Sequence, residues 1–371
     1  MNKIYNVHIF NDFSGAPRVF KDAINANKST YKNIVVTSQH SGFLTNASDS
    51  TIKIPYFRSN NKYLTLLSLC INQLCVALFL IASLIKDKLK GDKSVVFANT
   101  MLPFGAMLAG KLTATDVIVY VHETSLKPKV FKLFLRKIIK FTASKIIYVS
   151  EYLKQEENFE NINSIVIYNG VSNEFKAPEY IDWEQKFKRK QVLFVGSLKE
   201  YKGIYEFIKL AELHPTLHFI GILNSSDLDF QNFLKKEIMP SNIKFFCRPE
   251  QLSTFYLNSF INLNLSKPEQ WIETFGLTIT EGLLFGTPAI APNIGGPVEI
   301  INSSCGKCIN VNQLQDISDF IFKISNDYDF WVNLATNAQK RAEYFSIDAF
   351  NNKITSLFKD EFSNELNKGQ I

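Results

Sequence analysis

The chain has 371 residues, of which 46% are hydrophobic, with 32 Phe, 14 Tyr and a formal net charge of +6. That length exceeds an ordinary domain of roughly 100 to 200 residues, so two domains are expected, each able to bury a core. The apolar and aromatic content excludes a disordered chain, and five scattered cysteines, an odd number, exclude a secreted disulfide framework.

The first residues, MNKIYNVHIFN, form too short and too polar a run for an export signal, so a reducing cytoplasm is the expected compartment. The pattern then alternates. Strand-like runs at Tyr5–Phe10, Asn33–Thr37, Ser94–Asn99, Val117–Val121 and Lys145–Val149 are separated by helical periods at Pro17–Ala26, 64–88, Phe104–Lys111 and Val130–Phe141. Val- and Ile-rich strands joined by helices predict a parallel sheet with crossover connections. Residues 64 to 85, LTLLSLCINQLCVALFLIASLI, are uncharged and long enough to span a bilayer. Asn72 and Gln73 at their middle would be costly in hydrocarbon, which favours a helix buried against the sheet.

The polar stretch SNEFKAPEYIDWEQKFKRK reads as a linker, after which the alternation restarts. Strands are expected at Gln191–Val195, Leu217–Ile220, Ile243–Phe246, Ile261–Leu265 and Pro288–Ala291. Helices are expected at Ile204–Leu213, Leu228–Lys236, Gln251–Asn258 and Leu277–Phe285. The organisation is therefore α/β, two Rossmann-like domains over 1–175 and 186–346, with parallel sheets facing a central cleft. A C-terminal helix over about 347–371 is expected to pack back on the first domain. Ligands in such sheets sit beyond the carboxyl ends of the strands.

The stretch Trp271–Gly286, WIETFGLTITEGLLFG, sits at one such end. A helix beginning near Gly276 leaves backbone N–H groups unpaired and carries partial positive charge, so Gly276, Leu277 and Thr278 form a phosphate seat that a side-chain-free glycine lets an anion approach. Glu273 and Glu281 flank that seat. Carboxylates are poor phosphate ligands and good acceptors for sugar hydroxyls, so a diphosphate with a sugar at each end would satisfy both.

These residues resemble the E-x7-E motif of family 4 glycosyltransferases, retaining enzymes of GT-B fold. Other segments resemble that family in the same order: SGAPRVF (14–20), VSEYLK with YNGV (149–154, 168–171), VLFVGSLKEYKG (192–203) and NIGGPVEII (293–301). The resemblance implies that Glu281 binds the ribose of a nucleotide sugar, that Glu273 faces the transferred sugar, and that the amides of Phe275, Gly276 and Leu277 hold the diphosphate. It makes Lys202 the cation that stabilises the departing phosphate. Gly15 lets backbone approach the diphosphate, and His122, in VYVHE, reaches the sugar and the acceptor, with Arg18 as a further acceptor contact. Base contacts are expected around Cys247 to Pro249, which puts Arg248 at the donor site. Ser197 stands where the family usually has Arg, and Lys199 is the neighbouring cation that could compensate, although Lys is a point charge and not a bidentate fork. Ser14 likewise stands where Gly is common.

The resemblance implies sugar transfer from a nucleotide-diphosphate sugar to a hydroxyl of a lipid-linked glycan, as in O-antigen, capsule or lipopolysaccharide assembly, with no metal ion and no cofactor. Asp227-Leu-Asp229 and Asp327-Tyr-Asp329 have the spacing of a metal-binding triplet of another transferase fold, but lie in polar stretches away from these motifs. Cys305-Gly-Lys-Cys308 has zinc-ligand spacing without a second pair, and reads as a turn at Gly306. Two other readings stay open: a nucleotide-sugar epimerase of the same fold, and a non-catalytic sugar-nucleotide-binding subunit.

The basic excess falls in the first half. Residues 127–145, KPKVFKLFLRKIIKFTASK, hold seven basic residues and no acid, with Lys129, Lys132, Arg136 and Lys140 along one helical face. That face fits either solvent or peripheral contact with an anionic membrane, at the inner face of the cytoplasmic membrane. Nucleic acid is not expected, since no binding module accompanies the charge.

Overall fold

The computed structural model describes residues 1–48 and 50–368, with side chains of the last helix followed as far as Ser363. Residues 369–371 of the expected C-terminal helix lie outside the described residues. The chain divides into two compact units, Met1–Gly170 together with the helix Ile347–Lys368, and Val171–Ser346.

The first unit is built on β1 (Asn2–Val7), β2 (Lys32–Thr37), β3 (Ser50–Lys53), β4 (Lys93–Asn99), β5 (Val117–Val121), β6 (Lys145–Tyr148) and β7 (Asn163–Val166). Their order is β3-β2-β1-β4-β5-β6-β7, and every pairing is parallel, with Ile4 opposite Asn33 on one side and Val95 on the other. Parallel strands need helical crossovers on both faces, which is why β5 reads VIVYV and is buried throughout. The helix Ile347–Lys368 belongs here: Thr355 donates to the Ala26 carbonyl at 3.2 Å, Lys145 pairs with Glu361 at 2.7 Å, and Phe358 meets Phe97 edge-on at 5.2 Å.

The second unit repeats the plan with β8 (Gln191–Ser197), β9 (His218–Asn224), β10 (Ile243–Cys247), β11 (Ile261–Leu263), β12 (Ala289–Ala291) and β13 (Gly306–Cys308), in the order β10-β9-β8-β11-β12-β13. Its core runs from Phe194 and Phe207 through Phe219 and Phe260 to Trp331, whose indole N–H donates to the Phe260 carbonyl at 2.7 Å.

Four expectations need correction. The units meet at 170/171, and not across a linker ending near 186, because the segment expected as a linker contains the helix Trp183–Arg189, part of the second unit. There the Lys186 ammonium is buried and donates to the carbonyls of Tyr256, Leu257 and Phe285 and to the Thr287 hydroxyl at 2.8–3.1 Å, tying together the ends of two helices. The edge strands β3, β7 and β13 lack the long apolar runs of the interior strands, having one face or both half open to water, and so escape a hydrophobic reading. Gly306 is strand and not turn, its Cα so close to β12 that a Cβ would lie 2.1 Å from the Ala289 carbonyl oxygen. The helix Lys62–Leu89 is not buried on all sides: Leu69, Val76, Leu80 and Leu84 face the unit, whereas Leu67, Ile71, Leu74 and Leu78 are exposed.

Burial pushes the Lys186 ammonium well below its usual range, and of its four acceptors the Thr287 hydroxyl and the Tyr256 carbonyl also bond each other at 2.8 Å. Lys186→Met is expected to destabilise the second unit by about 2–4 kcal/mol, since it strands buried carbonyls. Urea unfolding of wild type and variant checks this.

Candidate active site

In both sheets the strand order reverses once, between β1 and β4 and between β8 and β11. The crevice at such a reversal, beyond the carboxyl ends, is where open parallel sheets hold ligands. The sequence-derived candidates divide between these two places.

In the second unit β8 ends at Ser197, and the chain turns through Lys199 into a short 3-10 turn at Glu200–Lys202. Gly203 closes it at φ +84°, where a Cβ would lie 2.3 Å from the Leu265 carbonyl oxygen, so the turn is held against the end of β11. This aims Lys202 at the loop after β11. Its ammonium meets Glu273 Oε2 at 2.7 Å, and the Ser266 hydroxyl donates to the same oxygen at 3.3 Å. Burial pushes the Glu273 carboxyl up, but the Lys202 charge and hydrogen bonds from Lys202, Ser266 and Asn264 outweigh it and hold the group below its usual range. Trp271 stacks on Tyr201 at 5.6 Å and lies 5.9 Å from the Lys202 ammonium, walling the pair on one side.

Glu273 is positioned from behind by Gly295 and Gly296. The Gly296 N–H donates to the Glu273 carbonyl at 2.8 Å. A Cβ on Gly295, at φ +88°, would lie 2.4 Å from that same oxygen, and one on Gly296 would lie 2.4 Å from Phe275 Cα. The paired glycines are thus a buttress for the acidic loop. Phe275 is buried against Phe345, and the helix Leu277–Leu284 follows with Gly276 as its N-cap at φ +121°, carrying no side-chain cap. The helix start is therefore open backbone, with Lys202 and Glu273 placed on the loops at the same end of the sheet. Glu281, one turn in, is 1% exposed and accepts from the Tyr256 hydroxyl at 2.8 Å.

The other donor-site candidates stand apart from this pair. Ser197 is half-buried in the ladder with Asn224, and Lys199 is exposed. Arg248, at φ +41° just beyond β10, lies 3.7 Å from Asp227 with both groups well exposed. That Asp227 belongs to a helix start: Ser226 caps the Asp229 N–H at 3.1 Å, and Asp327 caps the Phe330 N–H at 2.9 Å, so each D-x-D triplet serves a helix N-terminus. Among the described residues no three His, Cys, Asp or Glu side chains cluster as a metal site would.

In the first unit the reversal point gathers His8 beyond β1, Asn99 ending β4 and His122 beyond β5. The Asn99 amide meets His8 Nδ1 at 3.0 Å and donates to the Ala16 carbonyl at 3.3 Å, in the first turn of the helix Gly15–Asn27. His122 packs on Tyr120 at 4.2 Å. Burial drives the His8 ring down to about 4 and the His122 ring to about 3, the latter also repelled by His8, so both are neutral hydrogen-bonding rings near neutrality. Burial raises the neighbouring Glu123 carboxyl to about 7 while it accepts from the Met101 N–H at 3.2 Å. Gly15 is exposed at the start of its helix, and the half-buried Arg18 guanidinium sits 6.0 Å from the Phe43 ring. His8 and Asn99 escape a motif reading, yet a polar residue closing an apolar strand, as in VVFANT, is the signal that marks them.

Chains built of two such Rossmann-like units occur among solved structures. HepE of Anabaena, determined with UDP and with UDP-glucose, superposes in its UDP complex with a TM-score of 0.77 at 18% identity, covering 97% of this chain and 100% of that one. The fold is GT-B. Residues 179–341, within the second unit of this GT-B chain, match the family described as glycosyl transferases group 1. Among curated relatives, an uncharacterized glycosyltransferase of Methanocaldococcus jannaschii is 24% identical over 59% of this chain and 60% of its own length. A D-inositol 3-phosphate glycosyltransferase of Corynebacterium aurimucosum is 23% identical over 55% of this chain and 53% of its own. The chain thus spans little more than half the length of these relatives.

Two outcomes follow from this geometry. Gly295→Ala is expected to cost about 1–3 kcal/mol, through a strained φ and the clash with the Glu273 carbonyl, as read by urea unfolding. The folded state holds the His122 ring far below the usual histidine value of about 6.5, so it binds fewer protons than the unfolded chain in mildly acid solution, and stability rises with pH up to about 6.5 and falls away below it. His122→Asn should therefore flatten the slope of unfolding free energy between pH 4 and 6.5 by about one proton.

Proposed function

We propose that this chain is a retaining glycosyltransferase of the family 4 type, which moves a sugar from a nucleotide-diphosphate donor to a hydroxyl of a lipid-linked glycan in surface-polysaccharide assembly. The observation that carries the reading is the Lys202–Glu273 pair set beside the uncapped helix start at Gly276. Supporting it are the match of residues 179–341 to glycosyl transferases group 1 and the capture of UDP and UDP-glucose by HepE.

The chemistry asked of the protein is positioning and charge stabilisation. A diphosphate seated on the amides of Phe275, Gly276 and Leu277 competes with Glu273 for the Lys202 ammonium. The sugar's hydroxyls then satisfy the carboxylate that Lys202 releases. The pair exchanges one internal contact for two ligand contacts, so neither charge is left unpaired. As the bond to the sugar breaks, charge grows on the leaving phosphate oxygen, which takes the acceptor's proton, and Lys202 is preplaced to neutralise it. Glu281 accepts from the ribose at the far end. Ser197 supplies no second cation, which leaves Lys202 with the larger share of this stabilisation. His122, a neutral ring, contributes a hydrogen bond to the sugar or acceptor, with Gly15 and Arg18 nearby in the same unit.

Thermal shift with UDP-, GDP- and ADP-sugars should raise the melting temperature for one base only. With that donor, Lys202→Ala is expected to lower turnover about 10²- to 10³-fold, and Glu281→Ala to weaken donor binding. Appearance of an epimer from the donor alone, or a Glu281→Ala variant with unchanged binding and turnover, would sink the assignment.

A further inference from the structure

We propose that the first unit docks on an anionic lipid bilayer through a face shared by the helices Lys62–Leu89 and Lys129–Thr142. The proposal deepens the reading of a lipid-linked acceptor, but uses none of the donor-site residues. By length and composition the helix Lys62–Leu89 could cross a membrane, yet only 22% of its most apolar window is buried. Leu67, Ile71, Leu74 and Leu78 repeat at four- and three-residue spacing and form one outward stripe, with Leu74 and Leu78 each 60% exposed. A stripe of this length along a helix of about 42 Å is more apolar surface than a soluble face carries without a partner.

The second helix extends the same surface. Its Phe131 packs in one cluster with Leu69 of the first, and Phe134 meets Phe104 of the intervening helix Phe104–Leu112 edge-on at 5.4 Å. Outward it shows Val130, Leu133, Phe134 and Phe141. The basic stripe read from the sequence is only half available, because Lys132 and Arg136 both pair with the buried carboxylate of Glu157. Lys129, Lys137 and Lys140 remain exposed among the outward apolar side chains. Neither helix has an exposed carboxylate: the single acid in the two, Asp87, is buried with Lys3, Tyr5 and Ser94.

These features select the occupant. Apolar side chains ringed by lysines fit the boundary between acyl chains and anionic headgroups. A second copy of the chain, packed by a two-fold axis, would set lysine against lysine with no acid to pair. Spanning is disfavoured by the inner face, where Gln73 accepts from the Gly105 N–H at 2.7 Å and Asn72 donates to the Pro55 carbonyl at 3.1 Å. A Cβ on Gly105 would lie 2.2 Å from the Gln73 carbonyl oxygen, so the helix is fitted backbone to backbone on its own unit. It lies on the bilayer and does not cross it.

Co-sedimentation of the full chain with phosphatidylglycerol vesicles and with phosphatidylcholine vesicles tests this, without any nucleotide sugar. Wild type is expected to bind the anionic vesicles, less at high salt, and the neutral ones at least tenfold less. The double variants Leu74→Glu with Leu78→Glu, and Lys137→Glu with Lys140→Glu, should each lose binding at least tenfold while keeping the wild-type melting temperature and nucleotide-sugar thermal shift. Wild type that ignores anionic vesicles, or folded variants that bind them as well as wild type, would overturn it. So would a wild-type dimer in sedimentation that Leu74→Glu with Leu78→Glu dissolves while vesicle binding is absent. Failure here leaves the nucleotide-sugar shift untouched, so the two readings fail separately.

Discussion

Every strand pairing described in this chain is parallel, and a parallel sheet can be closed only by crossover helices laid on both of its faces. Much follows from that one constraint. All carboxyl ends point the same way, so the loops that can carry chemistry collect along one edge of each sheet. Lys202, Glu273, His8, Asn99 and His122 all lie at or beyond carboxyl ends. Where the strand order reverses, neighbouring loops diverge, and in both units that is where the candidate site side chains gather.

Within the second unit the site is made by steric exclusion as much as by charge. Three glycines, Gly203, Gly295 and Gly296, sit where any side chain would strike backbone, and each fixes a segment that bears or supports a charged group. Lys202 and Glu273 come from different loops, yet meet at 2.7 Å because these contacts leave the loops little room. The ion pair then sets the local electrostatics, keeping a largely buried carboxylate ionised against the pull of desolvation.

The interior strands were legible in the sequence because burial on both faces demands uninterrupted apolar runs, as in VIVYV and VLFV. The edge strands were not, since Ser50–Lys53 and Asn163–Val166 need bury little. The acidic motif and the lysine before Gly203 could be read from spacing, and their pairing could not, because it depends on how two loops 71 residues apart are folded back. The helix Lys62–Leu89 gives the sharpest contrast. Its composition is that of a fully buried element, and only the structure separates the leucines that face the sheet from those that face outward. In the basic segment two of the four residues on the basic face, Lys132 and Arg136, are taken by Glu157, a residue far enough along the chain that helical periodicity holds no trace of it.

The return of the last helix to the first unit has a consequence for how the chain is made. Phe97 and Tyr31, on or beside β4 and β2, are covered by Phe358 and Phe362, and Lys145 finds its carboxylate at Glu361. During synthesis these partners emerge only after the whole of the second unit. The second unit is contiguous, its two ends joined by the Val171 N–H donating to the Phe345 carbonyl at 2.9 Å, and so can fold as it leaves the ribosome. The first unit, though begun earlier, must hold part of its core open until the helix Ile347–Lys368 has emerged, which exposes its apolar side chains for longer.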